Sequence, residues 1–105
     1  MRLPVARSVA ITGDALTVEL SDGRTIIVPT AWFPRLVHAT PGERADWRLI
    51  GQGEGIHWTA LDEDISVEHL LAGKPSYESQ ASLKKWLGAR PVGELPKLKR
   101  PSARR

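Results

Sequence analysis

Cysteine is absent from this chain. Disulfides and thiolate chemistry are therefore excluded, and a small domain without cross-links suits a reducing cytoplasm. Aromatic residues are scarce: four tryptophans, one tyrosine and one phenylalanine in 105 residues. No apolar run approaches the roughly 20 residues that a membrane helix needs. The start, MRLPVARSVAI, has two arginines but neither the apolar stretch nor the cleavage pattern of a signal peptide. A soluble, cytoplasmic protein is the expectation. Also missing are a Gly-x-Ser-x-Gly elbow, paired histidines around a glutamate, a calcium-loop pattern and a Gly-Lys-Ser/Thr phosphate loop. No catalytic residue, metal or cofactor is expected.

What remains has room for one small domain. A hydrophobic fraction of 41% supports a real core, although a domain this small buries only about 60% of its unfolded surface. Charge is unevenly placed. Residues 89–105 hold Arg90, Lys97, Lys99, Arg100, Arg104 and Arg105 against Glu94 alone, so the rest of the chain is mildly acidic. The expected organisation is an α+β domain over residues 1–73, a C-terminal helix over 74–88 and a disordered basic tail over 89–105.

Residues 5–11 read as a first strand. Residues 15–20 alternate, with Leu16, Val18 and Leu20 on one face and Thr17 and Glu19 on the other. Asp22-Gly23 then marks a hairpin in which both central positions take positive φ. Residues 25–28 return, and Pro29 ends the strand because it cannot donate to a ladder. The period changes at Trp32, Phe33, Leu36 and Val37, which predicts a helix from near Trp32 with Pro34 in its first turn. Thr40-Pro41-Gly42-Glu43 reads as a capping box opening a helix that runs to about Asp46. Residues 47–50 and 55–60 form a second strand pair around Gly51-Gln52-Gly53-Glu54, and residues 62–64 make a turn. Ser66 caps a short helix, with Ile65 placed to staple against Leu70, and Gly73 ends it. Ser76 caps the last helix, which reaches about Leu87. The order β-β-β-α-α-β-β-α implies an α+β fold with a small, mainly antiparallel sheet and short helices.

The segments LSDGR, VPTAWFPRLVHAT, ERADWRLIGQGEGIHW and LDEDISVEHLLAG, in this order and spacing, resemble the bacterial family catalogued as domain of unknown function 2442. The resemblance covers about half the chain directly. It implies a small α+β fold and a partner in a two-gene module of toxin–antitoxin type. Some relatives carry a helix-turn-helix fusion. This chain offers one helix and a tail after Gly73, short of the helices that such a reader of DNA needs. The resemblance carries no catalytic residues.

Four constellations bear on function. His57 with Asp62, Glu63 and Asp64 has ligand chemistry suited to zinc or manganese, as a metal-dependent hydrolase would require, but the spacing matches no metal motif. The plainer reading is a hydrogen-bonded strand histidine beside acids that favour the following helix. The glycines at 51, 53 and 55 read as a strand-connecting loop with positive φ. Trp32, Trp47, Trp58 and Trp86, with Arg35, are the candidate contact residues for a small protein encoded nearby, since tryptophan and arginine concentrate binding energy. Should Arg35, Arg44 and Arg48 cluster, an acidic partner would suit them. Lys97, Lys99, Arg100, Arg104 and Arg105 give a second reading, in which the tail binds nucleic acid in a salt-dependent, sequence-blind way.

Overall fold

The computed structural model describes residues 3–90. Two three-stranded antiparallel sheets share one core. The first has the order β1 (Ala6–Ile11), β2 (Ala15–Leu20), β3 (Thr25–Pro29); the second has β4 (Trp47–Ile50), β5 (Gly55–Trp58), β6 (Glu63–Ser66). Helices α1 (Pro34–Val37) and α2 (Pro41–Ala45) connect the sheets, α3 (Val67–Leu71) follows β6, and α4 (Gln80–Ala89) comes last. The α+β expectation holds, with the strands divided between two sheets. No helix among the described residues is long and apolar enough to cross a membrane. Residues 91–105, most of the basic tail, lie outside the described residues.

The alternation in β2 orients the first sheet. Val9, Val18 and Ile26 make one cross-strand row, and Ile11, Leu16 and Val28 the next. These rows face the core, where Leu16 and Val18 are wholly buried. The opposite face carries Ser8, Glu19 and Thr25 in one row and Ala10, Thr17 and Ile27 in another. In the second sheet, Ile56, Trp58 and Ile65 point inward and are buried. Phe33, Leu36, Leu61, Val67 and Leu70 complete the core from the helices and loops.

Local chemistry explains where elements stop. The loop between β2 and β3 spans residues 21–24 and is tied by Leu20 N–H donating to the Arg24 carbonyl. Only Gly23 takes positive φ there, at 92°, so the expectation for Asp22 is corrected. The Asp22 carboxylate instead accepts the Arg24 N–H, as in a type I turn followed by a left-handed glycine. The helix expected from Trp32 is split. A 3-10 turn covers Thr30–Trp32, Phe33 is extended at φ −129° and ψ 90°, and α1 begins at Pro34. Proline bars its predecessor from the helical region, which separates the two pieces. The capping box forms as read: the Thr40 hydroxyl accepts from Glu43 N–H, and the Glu43 carboxylate accepts from Thr40 N–H. The Ser66 hydroxyl caps α3 by accepting from His69 N–H.

Two boundaries differ from the sequence reading. Residues 63 and 64 belong to a strand, not a turn, and the reversal sits at 59–62 with Asp62 at φ 52°. Glu63 lies opposite Trp58, and Asp64 opposite His57. The last helix is capped by Ser79, which accepts from Ser82 N–H, rather than by Ser76. The Ser76 hydroxyl accepts from Glu78 N–H in a local turn.

Gly53 is the glycine the fold cannot replace. Its φ is +96°, and a Cβ there would stand 2.8 Å from the Ala6 carbonyl oxygen. Gly53→Ala should lose about 2 kcal/mol or more in urea unfolding, because strain and a backbone clash add. Gly23→Ala meets no neighbour and should lose only about 1 kcal/mol.

Candidate interaction surfaces

Arg35 organises the side of the molecule where α4 docks. Its Nε and Nη2 donate to the Glu78 carboxylate at 3.0 and 2.8 Å, and its Nη1 donates to the carbonyls of Leu61 and Asp62 at 3.0 and 3.1 Å. The two side chains are 15% and 9% exposed. Planar, two-pronged pairing of this kind needs arginine rather than lysine. Ser82, in the first turn of α4, also donates to Glu78.

Trp86 brings the other half of this latch. The Arg35 and Arg90 guanidiniums lie over its ring, 5.0 and 4.6 Å from the centroid. Arg90 also donates to Glu43, the residue that closes the capping box of α2. Helix α4 buries none of its own residues fully. It is held by half-buried Trp86 and by ion pairs to α1 and α2.

Charge on this side is set by its environment. The Arg35 guanidinium holds the Glu78 carboxyl below its usual range. Glu63 goes the other way. It stands on the inward face of β6 opposite Trp58, and burial raises its pKa from 4.5 to about 7. Arg35 opposes that rise, while Glu78, Asp64 and Asp62 add to it. A carboxyl that titrates higher folded than unfolded holds its proton more tightly in the folded chain. Its contribution is complete below about 4.5 and is lost as pH rises through about 7. Stability should therefore fall by on the order of 2 kcal/mol between pH 5 and 8. Glu63→Gln should remove that slope and be the more stable form at pH 8, as urea titrations across the range will read.

A second surface lies between the sheets. A cleft of about 340 Å³ is lined by Val9, Ala10, Ile11 and Thr12 of the first sheet and its turn, Pro41, Arg44 and Ala45 of α2, and Trp47 of β4. Trp47 is half-buried against the core. Arg44 is fixed from behind: Nε donates to the Leu36 carbonyl at 2.9 Å and Nη2 to the Val37 carbonyl at 3.0 Å. The Arg44 carbonyl accepts the Trp58 indole N–H at 3.1 Å.

The five predicted contact residues thus separate. Arg35 and Trp86 meet each other within the chain. Trp47 walls the cleft. Trp32 is half-buried against the core, and its carbonyl accepts from Ser76 N–H. Trp58 is fully buried; its place among the contact residues is corrected, because an indole with no exposed surface cannot reach a partner. Its strand face, shared with Ile56, was the signal for this. The three arginines do not form one patch. Arg35 is held at the latch and Arg44 at the cleft, while Arg48 is exposed in a row with His57 and Asp64 on the outer face of the second sheet. His57 Nδ1 pairs with Asp64. Among the described residues no three metal-ligating side chains converge. Lys97, Lys99, Arg100, Arg104 and Arg105 lie outside the described residues.

These features define a small two-sheet α+β domain with an open cleft beside Trp47 and a docked C-terminal helix. The chain belongs to the family described as a protein of unknown function, DUF2442, which it matches over residues 6–76. Helix α4 lies beyond that match. The fold is similar to a crystal structure of a protein of unknown function from Rhodospirillum rubrum, with 27% identity and a TM-score of 0.62, covering 78% of this chain and 99% of that one. It is also similar to the solution structure of an uncharacterised protein from Chromobacterium violaceum, with 22% identity and a TM-score of 0.60, covering 82% and 79%. No curated protein matches the chain.

Proposed function

We propose that this chain is a small non-catalytic protein-interaction module, the antitoxin-like or regulatory half of a two-gene bacterial system. The observation that carries the reading is the cleft beside Trp47. It is an open, largely apolar recess with a half-buried indole in its wall. Interfaces concentrate their energy in such places, where an aromatic group is already partly desolvated and rigid. The latch supports the reading from the other side. It uses Arg35 and Trp86 within the chain, so Trp47 is the tryptophan left lining an open recess.

Co-expression with the neighbouring gene product, followed by gel filtration, tests this. One peak at the summed mass is expected. Ala10 is exposed and lines the cleft, so Ala10→Glu should leave the fold intact and split that peak into two. Two peaks from the parent chain would sink the reading.

A further inference from the structure

The occupant of the cleft can be inferred from the hydrogen bonds its walls lack. In an antiparallel pair, bonded and non-bonded positions alternate. Thr12 N–H donates to the Ala15 carbonyl, and the register sets Ala10 opposite Thr17 and Ser8 opposite Glu19. The bonds of Ser8, Ala10 and Thr12 therefore point to β2. Those of Val9 and Ile11 point the other way, to the edge of the sheet. Strand β1 pairs with β2 alone, so among the described residues the N–H and carbonyl groups of Val9 and Ile11 have no ladder partner. Both residues line the cleft.

The opposite edge of the sheet is built differently. By the same alternation, Thr25, Ile27 and Pro29 present the outer edge of β3, and Pro29 has no N–H. A proline at that position blunts an edge against added strands. Strand β1 has no proline, and its one irregularity, between Ala6 and Ser8, lies before the stretch from Val9 to Ile11.

Arg44 supplies the charge. Two of its nitrogens are spent on the Leu36 and Val37 carbonyls. Its third, Nη1, has no hydrogen-bond or ion-pair partner among the described residues and lies by the turn at Gly13, 4.0 Å from where a Cβ on that residue would stand. The group is held rigid at the mouth of an apolar recess, so a carboxylate would meet it without an ordering cost. A volume of about 340 Å³ takes a few residues of extended chain. It does not take a helix, which is about 10 Å across.

We propose that the cleft receives an extended peptide segment of the partner protein, which adds as a strand to the free edge of β1 and sets a carboxylate against Arg44 Nη1. The proposal rests on the reading of this cleft as the interaction site. Backbone bonds to Val9 and Ile11 give the affinity, an apolar side chain against Trp47 adds to it, and the carboxylate fixes register. The tail of this same chain is the wrong occupant by charge, since residues 91–105 hold five basic groups against Glu94.

The test uses the full chain labelled for amide exchange and three probes: acetyl-Thr-Val-Thr-Val-Asp-amide, the same peptide with lysine in place of aspartate, and hexanoate. The aspartate peptide should slow exchange at Val9 and Ile11 by about tenfold or more, and the lysine peptide should bind about tenfold more weakly. Equal binding of the two peptides, protection at Thr25 and Ile27 instead, or shifts with hexanoate that match the peptide while Val9 and Ile11 stay unprotected would each overturn the proposal. The parent protein is used throughout, so a folding defect cannot imitate failure. A partner that co-purifies while Val9 and Ile11 exchange unchanged in the complex refutes the strand addition and leaves the interaction reading standing. Protection by the aspartate peptide in a chain that forms no complex with the neighbouring gene product does the reverse.

Discussion

Arg35→Ala should lower the unfolding free energy by about 3 kcal/mol and undock α4. The size follows from what is left behind. Glu78 is only 9% exposed on its side chain and accepts from Arg35 through two nitrogens. Stranding one partner of a fully buried pair costs about 3–5 kcal/mol; Arg35 and Glu78 are partly buried, which places this case no higher than the bottom of that range. The carbonyls of Leu61 and Asp62 lose their donor in the same step, and Trp86 loses one of its two cations. Trypsin should then cut after Lys84 and Lys85 under conditions that leave the parent intact. The reverse change, Glu78→Ala, should cost less, near 1 kcal/mol, because Arg35 keeps both carbonyls and some contact with water. Equal losses for the two variants would mean that the ion pair does not hold the helix. Without Arg35, the Glu63 carboxyl also loses the charge that opposes its rise, so the pH slope expected of that residue should move to still higher pH.

Trp58→Ala should be more damaging still, costing about 4 kcal/mol and leaving little folded protein at 37 °C. Trp58 is the largest side chain in the chain with no exposed surface. Truncating a buried aromatic to alanine costs about 3–5 kcal/mol through lost transfer energy and the cavity it leaves. Here the loss is compounded, since the indole N–H satisfies the Arg44 carbonyl and a buried acceptor without a donor carries its own penalty. Trp58→Phe should recover most of the packing but not that bond, leaving a deficit of about 1–2 kcal/mol. The same pair bears on the cleft, because the Arg44 backbone is pinned by Trp58. Binding at Arg44 should weaken in Trp58→Phe even where the chain stays folded. Guanidinium melts of the two variants, beside a Trp32→Phe control that is half-buried in the parent, check the order.

Elements with local signals were legible in the sequence. The alternation of β2, the three-residue span from Thr40 to Glu43 and the glycine at 73 each carry their cause within a few residues. Strand β6 was not legible. Its sequence, EDIS, puts an acid on each face, and only the pairing of Trp58 with Glu63 and of His57 with Asp64 makes a strand of it. The start of α4 was misplaced because two serines three apart both suit a cap. What selects Ser79 is Glu78, held by an arginine 43 residues earlier, and no short window contains that distance. For the same reason Arg35 and Trp86 could be singled out as binding residues while their actual partners, each other and Glu78, stayed hidden. Trp58 was readable in principle: sharing a face with Ile56 marked it as core. The cleft was not, since it depends on how two sheets with no consecutive strands in common meet at β1 and β4.

The central claim is that this domain binds another protein at the cleft beside Trp47. The measurement that tests it most directly is gel filtration of the chain co-expressed with its neighbouring gene product, parent beside Ala10→Glu. A single peak at the summed mass for the parent, with two peaks for a folded variant, is the predicted result. Separate peaks for the parent, or a complex that Ala10→Glu leaves untouched, would contradict it.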